Sequence, residues 1–425
     1  MKKAKFKIAR TSNNLGTFKD AELDWFFKRT LEYANAGGAD IGDCMSVVDK
    51  IDERNSETWI DAWEALGARV ERDAADSLQR GHIVSARGAY LRASNYYRAA
   101  EYAALPNHPK FHDLWVRSRD CFHKACPLFT PAIQIVDVPF EGKKLPAYFW
   151  APDDSGEKRP TMFAVGGNDS SGEEVWYWSA MAAIERGYNF FTFEFPGHRG
   201  AVHLYPDCVK RYDMEVPFAA AFDLLEQLPG VDERIALAGY SFGGYVVSRV
   251  AIYEKRVAAL IPSTPLIYPL GAQKEMLERT HLPHSILAWL TERRMKKSPF
   301  TESMMMLAMW NSGNQHEYSA RAMIDAVFAE DASKWDLRDK LHQIICPTLA
   351  LAGENEGKLL IDQTQEFYDK ISSRQKKLYI FTLDDDGSDD HCQLDNRTAA
   401  NRVTFDWLDE LFEHVPATTV QVTEQ

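Results

Sequence analysis

The sequence has few of the features that would put a protein in a membrane, outside the cell or on a nucleic acid. No apolar stretch reaches transmembrane length, and no segment of signal-peptide type follows the basic start Met1-Lys2-Lys3-Ala4-Lys5. The 49 Lys and Arg residues are scattered and outnumbered by 62 Asp and Glu, for a net charge of −13. Phosphate neutralisation needs clustered basic residues, so we expect no nucleic-acid or membrane partner, and a cytoplasmic location.

Cysteine is also scarce, with six residues in a chain of 425. A disulfide framework is not needed at this size, so the cysteines are expected to be thiols in a reducing compartment. Cys121 and Cys126 flank His123, but no second Cys/His pair follows at a zinc-like spacing. The sequence therefore predicts no metal site.

Apolar residues are abundant, and their patterns predict the order of the folding units. The chain is 45% hydrophobic and 12% aromatic, which is ample for a large core, and its length predicts more than one unit. Helical periodicity with little strand signal fills the first part. We predict a helical N-terminal domain (1–130), a first core part (131–265), a helical lid (266–345) and a second core part (346–425).

Eight apolar segments predict the strands of one sheet. Two of them are joined by the turn Gly142-Lys143-Lys144, and the later ones alternate with helical patterns, which indicates a mostly parallel eight-stranded sheet of α/β class. The segments are 133–138, 145–150, 162–165, 190–193, 235–238, 258–261, 348–352 and 378–381.

Gly239-Tyr240-Ser241-Phe242-Gly243 lies between a predicted strand and a predicted helix and has the form of a nucleophile elbow. Glycines two residues before and two after Ser241 remove Cβ atoms that would collide at the bend. The positive end of the following helix faces the reacting carbonyl, so the Phe242 N–H is a candidate oxyanion donor. The alternative is a small-residue turn where a helix packs on a strand.

A serine nucleophile requires a base and an acid later in the chain. His391 follows the last predicted strand, and Glu356 follows the strand before it, in Gly353-Glu354-Asn355-Glu356-Gly357. The order Ser241, Glu356, His391 is that of α/β-hydrolases. Glu354 is the less favoured acid because it is close to the strand end. A solvated acidic turn is expected at Asp384, Asp385, Asp386, Asp389 and Asp390.

The loop after the third strand is expected to supply a second oxyanion donor, from Gly167 or Asn168. His198, or Arg199 beside it, is a candidate pocket residue after the next strand, although that turn is commonly structural. Residues near the oxyanion loop, around the elbow and in the lid are further candidates for the pocket wall, although most such residues are ordinary core. They are Trp176, Tyr177, Trp178, Tyr240, Phe242, Trp289, Met304, Met305, Met306 and Trp310.

The elbow, the Gly353–Glu356 turn, the Asp390-His391-Cys392-Gln393 end and the helical segment from Ala89 to Tyr102 together resemble a particular α/β-hydrolase group. It includes dihydroxypseudooxynicotine hydrolase and is similar to fungal hydrolases that shorten polyketides in pigment biosynthesis. The resemblance covers nearly the whole chain. It implies an α/β-hydrolase fold and hydrolysis of a C–C bond beside a ketone, with Ser241, Glu356 and His391 as nucleophile, acid and base. It also implies no metal or organic cofactor, and a homodimer. Glu356 departs from the aspartate usual in the group.

Three other functions stay open at this point. A carboxylesterase or thioesterase would use the same three residues on simple acyl esters. A non-hydrolytic cyclase would use the pocket to fold a polyketide-like intermediate without needing Ser241 as a nucleophile. A binding module with a relic of the three residues would catalyse nothing.

Overall fold

The chain begins with five helices, as its periodicity predicts. The computed structural model describes residues 13–296, 298–315 and 317–414, so residues 1–12 of the predicted N-terminal domain lie outside the described part. The first helix is capped by Asp20, whose carboxylate accepts from the N–H groups of Glu22 and Leu23. The helices are α1 (Ala21–Glu32), α2 (Ile41–Val48), α3 (Ser56–Gln79), α4 (Ile83–Glu101) and α5 (Phe111–Ala125).

Eight strands form one sheet in the order β1-β2-β4-β3-β5-β6-β7-β8. The pairs β1–β2 and β2–β4 are antiparallel and all other pairs are parallel, so the mostly parallel eight-stranded sheet is confirmed. The strands are β1 (Gln134–Phe140), β2 (Lys143–Trp150), β3 (Arg159–Val165), β4 (Asn189–Phe193), β5 (Val231–Tyr240), β6 (Ala259–Ser263), β7 (Thr348–Gly353) and β8 (Lys376–Phe381).

Helices cover both faces of the sheet, and four of them form an insertion between β6 and β7 at the predicted lid. The described residues of that insertion contain no strand, in keeping with the helical pattern of the segment. Whether the four units are separate domains with the predicted bounds stays a prediction. The helices are α6 (Gly172–Glu185), α7 (Arg199–Leu204), α8 (Glu215–Leu225), α9 (Phe242–Tyr253), the lid helices α10 (Pro269–Glu278), α11 (His284–Met295), α12 (Pro299–Asn311) and α13 (Ala320–Ala329), and then α14 (Lys358–Lys370), α15 (Leu383–Asp386) and α16 (Arg397–Phe412).

Two large apolar clusters lie on opposite faces of the sheet. One continues from the N-terminal helices through α6 onto the sheet, and Tyr33 stacks on Tyr177 across that boundary with ring centroids 5.2 Å apart. The other lies under α8 and α9 and includes Phe163, which stacks on Phe218. The N-terminal helices therefore share a core with the sheet.

Within the described ranges, no helix combines the length and apolar character needed to cross a bilayer. All six cysteines are free.

Candidate active site

Ser241 occupies the sharp turn between β5 and α9 that the elbow motif predicts. Its backbone has φ 58° and ψ −123°, a conformation that costs a non-glycine residue about 1–3 kcal/mol. The turn brings two backbone segments into contact, and a Cβ at Gly239 would lie 2.2 Å from the carbonyl oxygen of Gly243. The flanking glycines are needed for the close approach that the sequence predicts.

A chain of two hydrogen bonds joins Ser241, His391 and Glu356. The Ser241 Oγ lies 2.8 Å from His391 Nε2, and His391 Nδ1 lies 2.7 Å from Glu356 Oε2. The residues follow the carboxyl ends of β5, β8 and β7, and parallel strands bring such ends to one edge of a sheet. An imidazole held in this way can accept the serine proton while the carboxylate stabilises the imidazolium.

The Glu356 carboxylate is held on both oxygens. Oε1 accepts from the N–H of Gly353 at 2.8 Å, and Oε2 accepts from Thr264 Oγ1 at 2.5 Å as well as facing His391. Thr264 follows β6 with a positive φ of 60°, and no sequence signal marked it. The less favoured Glu354 is exposed and accepts from the N–H of Leu383, away from the imidazole.

The surroundings of His391 favour its protonated form. Burial lowers the pKa of the imidazole, but the Cys392 thiol and the Glu356 carboxylate raise it by more, so the pKa of His391 lies well above its usual value. The neutral imidazole that accepts a proton from serine is therefore the form that increases with pH.

The predicted oxyanion donors lie beside the serine. A Cβ at Gly167 would be 2.7 Å from Ser241 Cβ and 3.2 Å from its Oγ, so only glycine lets this loop approach so closely. Phe242 is the first residue of α9, where a backbone N–H has no acceptor within the helix. Asn168 follows Gly167 and lines the same cavity. These positions can supply N–H groups to an oxygen bound at the serine.

A cavity of about 270 Å³ opens above Ser241, between the carboxyl edge of the sheet, helix α1 and the lid helix α12. Its walls are mostly apolar, with one arginine and the polar groups of the site. The lining residues are Trp25, Arg29, Gly167, Asn168, Asp169, Ser170, Trp178, Ser241, Leu266, Met304, Glu356, Leu360, His391, Cys392 and Leu394.

Two aromatic residues expected in the pocket wall near the elbow lie behind it. Trp176 is fully buried against Trp150 and Phe129, whereas Trp178 lines the cavity. Residues two apart on a helix face about 200° away from each other, which explains why only one of them does so. Tyr240 packs edge-on against Trp178 and accepts a hydrogen bond from Arg397.

The two lid tryptophans also do not line the cavity. Trp289 is 57% exposed on the outer side of α11, where Arg293 lies over its ring. Trp310 is buried against Phe111 of α5 and His203 of α7. Of the lid candidates, Met304 does line the cavity, together with Leu266, which was not predicted. Met304 and Trp310 are both on α12, and the packing of that helix decides which of them faces Ser241.

His198 is a structural residue of the turn after β4. Its Nδ1 lies 2.6 Å from the Glu194 carboxylate and its ring stacks on Phe195. The neighbouring Arg199 forms an ion pair with Glu101. Neither residue lines the cavity above Ser241, in contrast to the expectation for His198.

The expected solvated acidic turn is wrong for Asp389 and Asp390, which are both fully buried. The Asp390 carboxylate accepts from the Trp25 indole, forms an ion pair with Lys28 and accepts from the N–H of His391. This contact joins α1 to the histidine loop. It was missed because its partners on α1 lie near the opposite end of the sequence.

Arg29 is the other residue that the sequence did not signal. It reaches from α1 into the cavity wall, and its guanidinium binds the carboxylates of Asp169 at 2.5 Å and Glu174 at 2.8 Å. Glu174 also accepts hydrogen bonds from Tyr33, Arg98 and Tyr102. The start of α6 is therefore held by α1, by α4 and by the residues that directly follow these two helices. Among the residues that the structure describes, no group of three or more His, Cys, Asp or Glu is arranged to hold a metal ion.

Comparison with known proteins agrees with this architecture. Residues 162–400 match the alpha/beta hydrolase family. The chain is 28% identical to the hydrolase acrC of Aspergillus aculeatus, over 93% of this chain and 98% of the relative. It is 30% identical to the hydrolyase poxO of Penicillium oxalicum, over 78% of this chain and 82% of that protein.

A solved structure shows the same fold over nearly the full length. The structure of 2,6-dihydroxy-pseudo-oxynicotine hydrolase superposes with a TM-score of 0.68 at 22% identity, covering 92% of this chain and 99% of the other. The N-terminal helices are thus included in the similarity.

Proposed function

The chain belongs to the alpha/beta hydrolase family, and from that premise we propose that it is a serine hydrolase that cleaves a C–C bond beside a ketone. The proposed substrate is a β-dicarbonyl or polyketide-like small molecule. Ser241 is the proposed nucleophile, His391 the base and Glu356 the acid that orients it.

The observation that carries the proposal is the unbroken hydrogen-bonded chain from Ser241 Oγ through both ring nitrogens of His391 to Glu356. Since the serine hydroxyl is a weak nucleophile at neutral pH, the imidazole must take its proton as the oxygen attacks. A carboxylate on the far nitrogen stabilises the imidazolium formed in that step. The strained turn at Ser241 supports the same role, because it exposes the hydroxyl at the cavity floor.

The reaction proceeds in two halves. Ser241 Oγ attacks the ketone carbon while its proton moves to His391, and the resulting oxyanion accepts from the N–H groups of Phe242 and of Gly167 or Asn168. The C–C bond then breaks, the electron pair leaves as an enolate, and His391 returns the proton to its carbon. Water, deprotonated by His391, finally hydrolyses the acyl-enzyme and releases a carboxylic acid.

Two features support a carbon leaving group in this scheme. The cavity walls contributed by Trp25, Trp178 and Met304 are apolar, which suits an aromatic or polyketide-like ketone better than a charged acyl donor. The resemblance of the elbow and of the Asp390–Gln393 end to hydrolases that cleave such bonds points the same way. Hydrolysis as a reaction type is further supported by relatives named hydrolases that align over 93% of this chain.

The proposal is tested by comparing an acyl-phenol diketone with a series of nitrophenyl esters as substrates. We expect diketone cleavage with kcat/KM above that for the esters, and a loss of several orders of magnitude in Ser241→Ala. Ser248→Ala is the matched control, because that hydroxyl lies on α9, directly after the turn at Ser241, and donates to the carbonyl of Gly244.

The other outcomes identify the competing functions. Fast turnover of short esters without diketone cleavage would make the protein a carboxylesterase or thioesterase. Conversion of a polyketide-like intermediate that survives in Ser241→Ala would make it a cyclase that needs no nucleophile.

A further inference from the structure

Lys210 lies directly behind the loop that carries the proposed oxyanion donors. It belongs to the segment between α7 and α8, and its ammonium donates a hydrogen bond to the side-chain oxygen of Asn168. The same ammonium is 4.8 Å from the ring centroid of Phe242, the residue that carries the other proposed oxyanion donor. Lys210 does not itself line the cavity, so it acts through these two residues.

Asn168 is held on both of its oxygens by groups outside the sheet. Its side-chain oxygen accepts from Lys210, and its backbone carbonyl accepts from the side chain of Asn311 at 2.6 Å. The ring of contacts closes because the N–H of Lys210 donates to the carbonyl of Asn311 at 2.8 Å. The segment before α8, the end of lid helix α12 and the oxyanion loop are thus fixed to one another.

The charge around this ammonium is only partly compensated. The Asp169 carboxylate faces it from the oxyanion loop, and Arg29 of α1 binds that carboxylate at 2.5 Å. The lid contributes the neutral amide of Asn311, α9 contributes the Phe242 ring, and Gly197 contributes only backbone against the lysine stem. Burial lowers the pKa of Lys210 to about 8, and Asp169 offsets part of that effect.

We propose that Lys210 is a positioning residue that orients Asn168 in the oxyanion loop and places a positive charge behind the oxyanion formed at Ser241. This inference rests on the proposed nucleophilic function of Ser241. A fixed charge of this kind stabilises the transition state more than the neutral ground state, so it raises the rate of the chemical step more than substrate affinity.

The test uses a fluorophosphonate probe, because phosphonylation of the serine passes through a charged oxygen in the same place and needs no knowledge of the substrate. Inactivation rates of the full chain are compared for the wild type, Lys210→Met, Lys210→Gln and Lys210→Arg. We expect the Met and Gln variants to lower the maximal inactivation rate about ten- to a hundred-fold, with the probe concentration at half-maximal rate changed less than about threefold. Arg should retain most of the rate because it keeps the charge.

The pH profile separates this role from a structural one. His391 changes the rates of both proteins alike as pH rises, so the informative quantity is the wild-type inactivation rate divided by that of Lys210→Arg. This ratio should fall above pH 8 as Lys210 loses its proton, since the guanidinium stays protonated. Lys143→Met is the matched control: it removes a nearby lysine paired with Asp207 on the surface and should match the wild type.

The possible results distinguish a failure of this inference from a failure of the proposed function. Wild-type rates in the Met and Gln variants, or a ratio of wild-type to Lys210→Arg rates that stays constant above pH 8, would overturn the inference. If the Met and Gln variants do not fold, the pH dependence of the inactivation rate in the wild type and in Lys210→Arg still tests the inference. Absence of labelling at Ser241 in the wild type would instead overturn the proposed function itself.

Discussion

His391 lies between an acid that stabilises its charge and a hydroxyl that needs its neutral form. The Glu356 carboxylate lies 2.7 Å from Nδ1 and is one reason why the pKa of the imidazole is raised. In the proposed reaction the neutral imidazole is the base, so kcat/KM should rise with pH through the pKa of His391.

The first prediction concerns Glu356→Gln. Removal of the carboxylate charge lowers the pKa of His391, so the acid limb of the kcat/KM profile should move to lower pH. The plateau should fall about 10²- to 10⁴-fold, because the imidazolium loses its stabilising partner. Steady-state kinetics across pH checks both effects.

Glu354→Gln is the control for that experiment. Its carboxylate is exposed and bound to the N–H of Leu383, so neither the limb nor the plateau should change. If the acid limb of the kcat/KM profile stays at the same pH in Glu356→Gln, the assigned contact between Glu356 and His391 is contradicted.

The three residues proposed for catalysis could be read from the sequence because each follows a recognisable strand. The pocket residues could not, because the sequence gives the number of aromatic residues but not the direction in which a helix turns them. Trp176 and Trp178 differ by two positions, and only the packing of α6 decides which one lines the cavity.

At the scale of elements, the buried carboxylate of Asp390 joins helix α1 to the loop that carries His391. Asp390 faces Trp25 and Lys28 on α1 and accepts from the N–H of His391. Burial raises the pKa of Asp390 to about 6, although Lys28 opposes part of that rise. The ordinary pKa of 3.8 applies when the chain is unfolded.

The second prediction follows from that difference. Between pH 4 and pH 6 the folded state holds a proton on Asp390 that the unfolded state has lost, so the contribution of Asp390 to the free energy of unfolding falls as pH rises. An amide at this position cannot titrate, so the free energy of unfolding of Asp390→Asn minus that of the wild type should increase by about 2 kcal/mol across this range. Denaturant unfolding at several pH values measures it.

The control variant is Asp384→Asn, at an exposed position of the same acidic region. Its difference from the wild type should be nearly independent of pH. A flat difference for Asp390→Asn as well would show that this carboxylate keeps an ordinary pKa in the fold.

The order and type of the elements were predictable, since strand alternation and helical periodicity are local patterns. Contacts such as Lys28–Asp390 were not, because they depend on where α1 docks against a loop at the opposite end of the chain. Asp390 is buried through that docking, whereas Asp389 is buried with a hydrogen bond from Asn355.

At the scale of the whole molecule, the N-terminal helices and the sheet share one apolar cluster. Tyr177 of α6 stacks on Tyr33 and donates to the carbonyl of Leu91, so it contacts both sides of the boundary. A common core couples the unfolding of the two parts.

The third prediction is therefore a single unfolding transition that shifts as a whole in Tyr177→Ala, by about 3–5 kcal/mol for loss of a buried aromatic ring. Calorimetry and circular dichroism should report the same midpoint. Trp289→Ala, at an exposed ring, should change stability by less than about 0.5 kcal/mol. Two separate transitions would contradict the shared core.

The homodimer stays a prediction, which light scattering would test against the 48.4 kDa chain mass.

The most direct test of the account is peptide mapping by mass spectrometry after reaction with a fluorophosphonate. We expect one adduct, on Ser241, that is absent in Ser241→Ala and forms orders of magnitude more slowly in His391→Ala. Labelling at another residue, or labelling of Ser241 at an unchanged rate without His391, would contradict it.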